Sequence, residues 1–258
     1  MQTGYSDAVV MVTGASTGLG RAIAHGAAGQ GARAVVINFA RSADQAEITA
    51  RLVREAGAAA VLVRGDVGNE ADCRRIAAAA NAFGRIDALF NNAGVSRAGG
   101  FDDLCAGDFL EVYRVNVVGT YQMIRAARSL LEAAEMPAVV NTSSLAGVTG
   151  KGSSLAYTAS KGALNTLGKA LAMTLAPGIR VNTICPGFID TGWFDRHGPS
   201  DARDGLRDHI RQSTALEAVS GADDVADAAL FLGSRAARHI TGETLIVDAG
   251  LRFGRTVL

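Results

Sequence analysis

The 258-residue sequence predicts an α/β fold, a single domain built on a doubly wound, seven-stranded parallel sheet with helices on both faces. Three observations carry that expectation. Short β-branched runs alternate with longer Ala-rich segments of helical period. A glycine-rich turn stands directly between the first run and the segment after it, and no stretch is rich enough in Pro, Ser or charge to act as a linker.

The elements follow in order. Strands are expected at 8–12, 34–38, 60–64, 88–91, 138–141, 180–184 and 244–247, each a short apolar run. Helices are expected at 18–30, 44–56, 70–83, 108–134, 155–175 and 223–232, where apolar residues recur three or four apart. Ile48, Leu52, Val53 and Ala56 form one such stripe. Pro137 and Pro177 lie just past helix ends, where proline acts as a stop.

Bulk properties narrow the partners. The 25 basic and 25 acidic residues cancel and neither sign gathers into a block, which argues against nucleic acid and anionic membrane. No basic residue precedes Arg21, so a secretory leader with a charged start does not fit, and no apolar run has the length of a membrane span. Cys73, Cys105 and Cys185 are odd in number and far apart, which suits reduced thiols in a cytoplasm, read here as small buried hydrophobes. His25, His197, His209 and His239 show no metal-ligand spacing, and no catalytic metal is expected.

After the first strand comes Thr13-Gly14-Ala15-Ser16-Thr17-Gly18-Leu19-Gly20, running straight into a helix. Its glycines permit a tight turn and let main-chain N–H groups approach a pyrophosphate at the helix N-terminus; a tight connection needing φ > 0 is the plainer alternative. At the end of the second strand an acidic residue would read the free 2′-hydroxyl of NAD, but the chain has Asn38-Phe39-Ala40-Arg41-Ser42. Arg41 and Ser42 suit a 2′-phosphate, hence NADP(H) over NAD(H), although Arg41 also suits a surface position before a helix. Asp66 and Val67 offer an acceptor and an amide to an adenine edge, with Asp66 as a helix cap the alternative.

Tyr157 and Lys161 share a helix face at i and i+4, and Ser144 lies a short loop upstream. On an ordinary helix such a pair is a solvated face. In a cleft they supply a proton donor, a cation to tune it and a hydroxyl to aim a carbonyl. Lowering a phenol by roughly three units from its usual value near 10 takes about 4 kcal/mol of preferential phenolate stabilisation, the order one close cation can contribute in a partly desolvated site.

Thr13 to Gly20, Asp66-Val67, Asn91-Asn92-Ala93-Gly94, Val115-Asn116-Val117, Ser144 with Tyr157 and Lys161, Pro186-Gly187 and Ile240-Thr241-Gly242 together resemble the short-chain dehydrogenase/reductase family, over nearly the whole chain. The resemblance implies a Rossmann fold with Tyr157 as general acid or base and Lys161 binding the nicotinamide ribose while lowering the Tyr157 pKa. It places Ser144, chosen over Ser143 by its distance from Tyr157, on the substrate oxygen. Asn116 would hold a water linking Lys161 to solvent. Asn92, Ala93 and Gly94 would let the cofactor pass close over the sheet edge, with Asn91 supporting the sheet. Pro186, Gly187, Ile189 and Thr191 would face the nicotinamide carboxamide or pyrophosphate. A homotetramer is implied, pairing 108–134 and 155–175 between subunits, with 251–258 at another contact.

The segment 187–213, with Phe188, Trp193, Phe194 and His197, looks like a substrate lid, and Phe188, Trp193 and Leu145 are candidate substrate contacts. The nearest group is the 3-oxoacyl-[acyl-carrier-protein] reductases. Pro177 stands where such enzymes often carry Arg or Lys, leaving Arg125, Arg128 and Lys169 as substitutes. The expected activity is NADPH-dependent ketone reduction, with 3-oxoacyl thioesters first. The alternatives are an NAD-dependent secondary-alcohol or sugar dehydrogenase and a non-enzymatic dinucleotide sensor.

Overall fold

The strands of the computed structural model are β1 (Val9–Val12), β2 (Ala34–Phe39), β3 (Ala59–Arg64), β4 (Ala88–Asn91), β5 (Ala138–Thr142), β6 (Arg180–Pro186) and β7 (Thr244–Val247). The structure describes residues 4–191 and 201–254, with main chain alone for 201–203. All pairings are parallel, in the order β3-β2-β1-β4-β5-β6-β7. The chain therefore leaves β1 toward β2 on one side and returns to β4 on the other. That reversal opens a crevice at the carboxyl ends of β1 and β4, where open α/β sheets bind ligands.

Both faces of the sheet are covered, which is why its strands read as unbroken apolar runs. Val10, Val12, Val35 and Ile37 point to one face and join α1 (Gly18–Gly29), α2 (Ala43–Glu55) and α9 (Ala222–Gly233). Val9, Met11 and Val36 point to the other, against α3 (Glu70–Ala78), α5 (Thr120–Glu132) and α7 (Leu155–Leu175). Side chains such as Phe90, Met11, Ile23 and Leu131 lose all exposure, each burial contributing about 1.5–3 kcal/mol.

Most element ends agree with expectation to within a residue or two. The span 70–83 does not stay helical: the amides of Ala79 and Ala80 bond three residues back, and a separate 3₁₀ turn, Asn81–Phe83, ends at Gly84 with φ 75°. The span 108–134 is also divided. It comprises α4 (Ala106–Tyr113), a π-helical turn Arg114–Gly119 holding Asn116, and α5. The short α6 (Ala146–Thr149) and the helix α8 (Asp201–Ser213) had no counterpart in the predicted elements.

Candidate active site

The phosphate loop is shaped by close approaches. Gly14 has φ +62°, and a β-carbon there would lie 2.8 Å from Ala93 Cα; one on Gly20 would lie 2.5 Å from the Gly14 carbonyl oxygen. Thr13 Oγ1 accepts from the amides of Asn92 and Ala93 at 3.0 and 3.1 Å, and Asn92 Nδ2 donates to the carbonyls of Thr13 and Gly14 at 3.2 and 3.1 Å. The loops after β1 and β4 thus form one floor. Thr17 precedes α1 without a side-chain cap, leaving first-turn N–H groups at Gly18, Leu19 and Gly20 for an anion, while Ser16 is fixed through its carbonyl by Arg21 at 2.5 Å. A dinucleotide pyrophosphate fits this cradle.

Asn38, passed over as a functional residue in the sequence, ties the carboxyl ends of β1, β2 and β3 together. Its amide donates to the Val63 and Gly65 carbonyls at 3.3 and 3.0 Å and its oxygen accepts from Gly14 N at 3.3 Å. Phe39 is buried, so little of its side chain is offered to the crevice. Arg41 and Ser42 are exposed; Ser42 precedes α2 without capping it, and the Arg41 guanidinium makes no hydrogen bond or ion pair among the described residues, although its carbonyl accepts from Ala43 N at 3.2 Å. Arg64 Nε holds the Ala40 carbonyl at 3.2 Å beneath this turn. Asp66 is not the cap of α3. Asn69 is, accepting from the amides of Ala71 and Asp72, while Asp66 accepts from Gly68 N at 2.9 Å and Arg114 at 3.0 Å. Buried Val67 touches the π turn, since a β-carbon on Gly119 would lie 2.9 Å from its carbonyl oxygen.

At the centre, Ser154 caps α7 by accepting from Tyr157 N at 3.2 Å, which sets Tyr157 in the first turn and Lys161 one turn on. Lys161 is buried, its Nζ 5.5 Å from the Tyr157 ring centroid and donating to the Thr142 carbonyl at 2.8 Å. Burial pushes the ammonium down to about 8. Ser144 stands beside the Tyr157 hydroxyl, drawing its pKa down, and accepts from Ala146 N at 3.1 Å. Ser143 instead points inward, donating to the Lys161 carbonyl at 3.0 Å.

A lowered phenol was expected, but the protein's own groups hold it above its ordinary value: burial outweighs the lowering by Ser144. Lys161 does not offset this because burial lowers its own pKa to about 8, so it is neutral by the pH at which the raised phenol ionises. Cys185 is buried beneath the pair, its thiol pushed up by burial and bonded to Asn165 at 3.4 Å. Cys73 is also buried, whereas Cys105 is exposed, contrary to expectation, because it stands at the start of α4 rather than in the core.

Asn116 is completely buried, its Oδ1 accepting from Val95 N at 2.8 Å and its Nδ2 donating to Val95 O and Ser160 Oγ, both at 3.0 Å. A β-carbon on Gly94 would lie 3.3 Å from Asn116 Oδ1 and 3.5 Å from Lys161 Nζ, so the loop after β4 passes close over both side chains. Asn91 bonds Asn141 across β4 and β5 at 3.0 Å and belongs to the sheet.

From the β6 side, Leu145 N donates to Pro186 O at 2.7 Å and Gly187 N to Val247 O at 2.9 Å, so these loops meet above the sheet. A β-carbon on Gly18 would lie 3.6 Å from Thr191, which brings the segment Ile189 to Thr191 against the phosphate loop. Leu145 and Phe188 are half-buried at this mouth. Trp193, Phe194 and His197 lie outside the described residues. Arg207 of α8 pairs with Asp190 at 2.6 Å. Of the substitute cations, Arg128 pairs with Glu132 at 2.7 Å and Arg125 lies 4.0 Å from Glu70; Lys169 is exposed. Among the described residues no group of three or more His, Cys, Asp or Glu could hold a metal, and no helix is long and apolar enough to cross a membrane.

Residues 14–252 match the family model described as enoyl-(acyl carrier protein) reductase. A protein of Streptomyces violaceoruber assigned as ketoacyl reductase 2 of the granaticin polyketide synthase is 40% identical over 246 residues, 94% of this chain and 95% of the relative. The L-rhamnose 1-dehydrogenase (NAD(P)(+)) of Azotobacter vinelandii is 35% identical over 251 residues, 95% and 96% of the two chains. A solved short-chain dehydrogenase/reductase from Burkholderia xenovorans superposes with a TM-score of 0.87 at 40% identity, covering 96% of this chain and 99% of its own. The chain belongs to the short-chain dehydrogenase/reductase family. It is an oxidoreductase using a nicotinamide dinucleotide, NAD(P), on a small molecule, not the non-catalytic sensor weighed from sequence.

Proposed function

We propose that the protein reduces a ketone to a secondary alcohol with NADPH, Tyr157 acting as general acid, and that 3-oxoacyl thioesters are its leading substrate class. The observation that carries the reading is Tyr157 in the first turn of α7, buried so that its phenol keeps its proton, with Ser144 beside it and Lys161 Nζ 5.5 Å from its ring centroid. When bound, the dinucleotide supplies hydride to the carbonyl carbon. Ser144 and Tyr157 hold the carbonyl oxygen, and Tyr157 donates its proton as negative charge grows there. Lys161, tied to Thr142, keeps a cation beside the resulting phenolate, and Asn116 borders that proton's route.

NADPH is favoured because Arg41 and Ser42 leave a guanidinium and a hydroxyl free of other bonds where an acid would be needed to read NAD. The similarity to a ketoacyl reductase supports the thioester, while the rhamnose dehydrogenase supports a second reading, oxidation of a sugar by the reverse chemistry. Exposed Leu110, Val118, Tyr121, Leu155 and Met173 on the α4–α5 and α7 surfaces support pairing into a homotetramer; a one-subunit mass by light scattering would contradict it. The activity is tested with NADPH and NADH against 3-oxoacyl thioesters, ketones and aldoses. Tyr157→Phe is expected to lower kcat by about 10²–10⁴-fold while NADPH still binds; turnover near wild type refutes the acid assignment.

A further inference from the structure

One buried hydroxyl fastens the catalytic turn to the opposite wall of the crevice. Ser160 is fully buried; its Oγ donates to the Tyr157 carbonyl at 2.7 Å and accepts from Asn116 Nδ2 at 3.0 Å. The first bond is ordinary, since serines in helices commonly bond the carbonyl three or four residues back. The second is not, because it comes from the π turn between α4 and α5, an element separated by 44 residues of sequence. Asn116 is itself locked to the loop after β4 by its two bonds to Val95, and Lys161, the next residue after Ser160, reaches Thr142 at the end of β5.

We propose that Ser160 is a positioning residue for the reaction: its hydroxyl fixes the turn carrying Tyr157 and Lys161 against Asn116 and so holds the acid where the carbonyl oxygen is presented. The inference rests on Tyr157 being that acid. Removing the hydroxyl leaves Asn116 anchored to Val95, so the π turn persists while its link to Tyr157 is lost. A displacement of about 1 Å at a reacting group can cost about 10²-fold in rate. A link lost without touching either ligand should therefore appear in kcat and not in KM.

The test compares Ser160→Ala, Ser160→Val and Ser160→Thr for kcat, for KM of NADPH and ketone, and for thermal midpoint. The first two should lower kcat about ten- to fiftyfold with both KM values within about twofold, and Ser160→Thr, which keeps the hydroxyl, should recover most of the rate. If Ser160→Thr does not fold, Ser160→Cys, whose thiol still donates weakly, replaces it. In an Asn116→Ala background, Ser160→Ala should cost less than about twofold more, because the partner is already gone. A wild-type kcat in Ser160→Ala, equal losses in Ser160→Thr and Ser160→Val, or full additivity with Asn116→Ala each overturns the proposal. An active Tyr157→Phe would instead sink the acid assignment; an inactive Tyr157→Phe beside a normal Ser160→Ala removes only the role of Ser160.

Discussion

Lys161 should make the protein less stable at neutral pH than an apolar residue in its place. Its side chain is almost wholly buried with one carbonyl, that of Thr142, as hydrogen-bond partner, and its pKa falls from 10.5 to about 8. At 1.36 kcal/mol per unit, that drop corresponds to about 3 kcal/mol of penalty for the charged form. The sign follows from proton counting. Below about pH 8 the lysine is protonated folded and unfolded, and the whole penalty is present. Between about 8 and 10.5 the unfolded chain binds the proton more tightly, so stability rises with pH across that window. Lys161→Met removes the charge and keeps the length, at the loss of the Thr142 bond, about 1 kcal/mol. The variant should be inactive yet more stable at pH 7 by about 2 kcal/mol, and that advantage should shrink toward zero by about pH 10. Urea unfolding of both proteins at equal protomer concentration from pH 6.5 to 10 measures the difference and cancels other titrating groups. A difference that is flat with pH, or a wild type more stable at pH 7, refutes the reasoning.

Other substitutions probe the crevice from its remaining sides. Arg41→Ala should raise KM for NADPH about tenfold and leave KM for NADH unchanged, read from steady-state kinetics with both cofactors, since a charge-assisted bond to phosphate is lost. Gly14→Ala puts a β-carbon 2.8 Å from Ala93 Cα at φ +62°, so it should lower the thermal midpoint, by about 1–3 kcal/mol in stability, and abolish NADPH binding followed by cofactor fluorescence. Asn69→Ala should cost about 1 kcal/mol in urea unfolding and leave kcat unchanged, because Asn69 caps α3 at an exposed end and bonds none of Ser144, Tyr157 and Lys161.

The sheet was legible because both its faces are buried, so each strand announced itself as a β-branched run such as Val9–Val12 or Ala34–Phe39. The helix Leu155–Leu175 was legible to the residue, since Ser154 caps one end and Pro177 follows the other. The π turn was not. An i→i+5 register differs from i→i+4 by one residue and barely changes the apolar pattern, so a poor helix former at Asn116 was the only trace of it. Asn38 and Ser160 escaped notice because their decisive partners lie 24 to 44 residues away, in Gly14, Val63, Gly65 and Asn116. Asp66 was offered as a cap because it sits just before a helix; Asn69, nearer the first turn, took that place.

Depth was the other quantity hidden in the chain, and it changes how the tyrosine and lysine work. A Tyr and Lys one turn apart suggest a cation lowering a phenol, yet the fold buries both, raising one pKa and lowering the other. Burial thus drives the two titrations apart. A phenol that keeps its proton at neutral pH starts the reductive cycle ready to donate, whereas oxidation has to begin by removing that proton. An enzyme cannot move the equilibrium between ketone and alcohol, but its resting protonation state decides which direction needs no prior deprotonation.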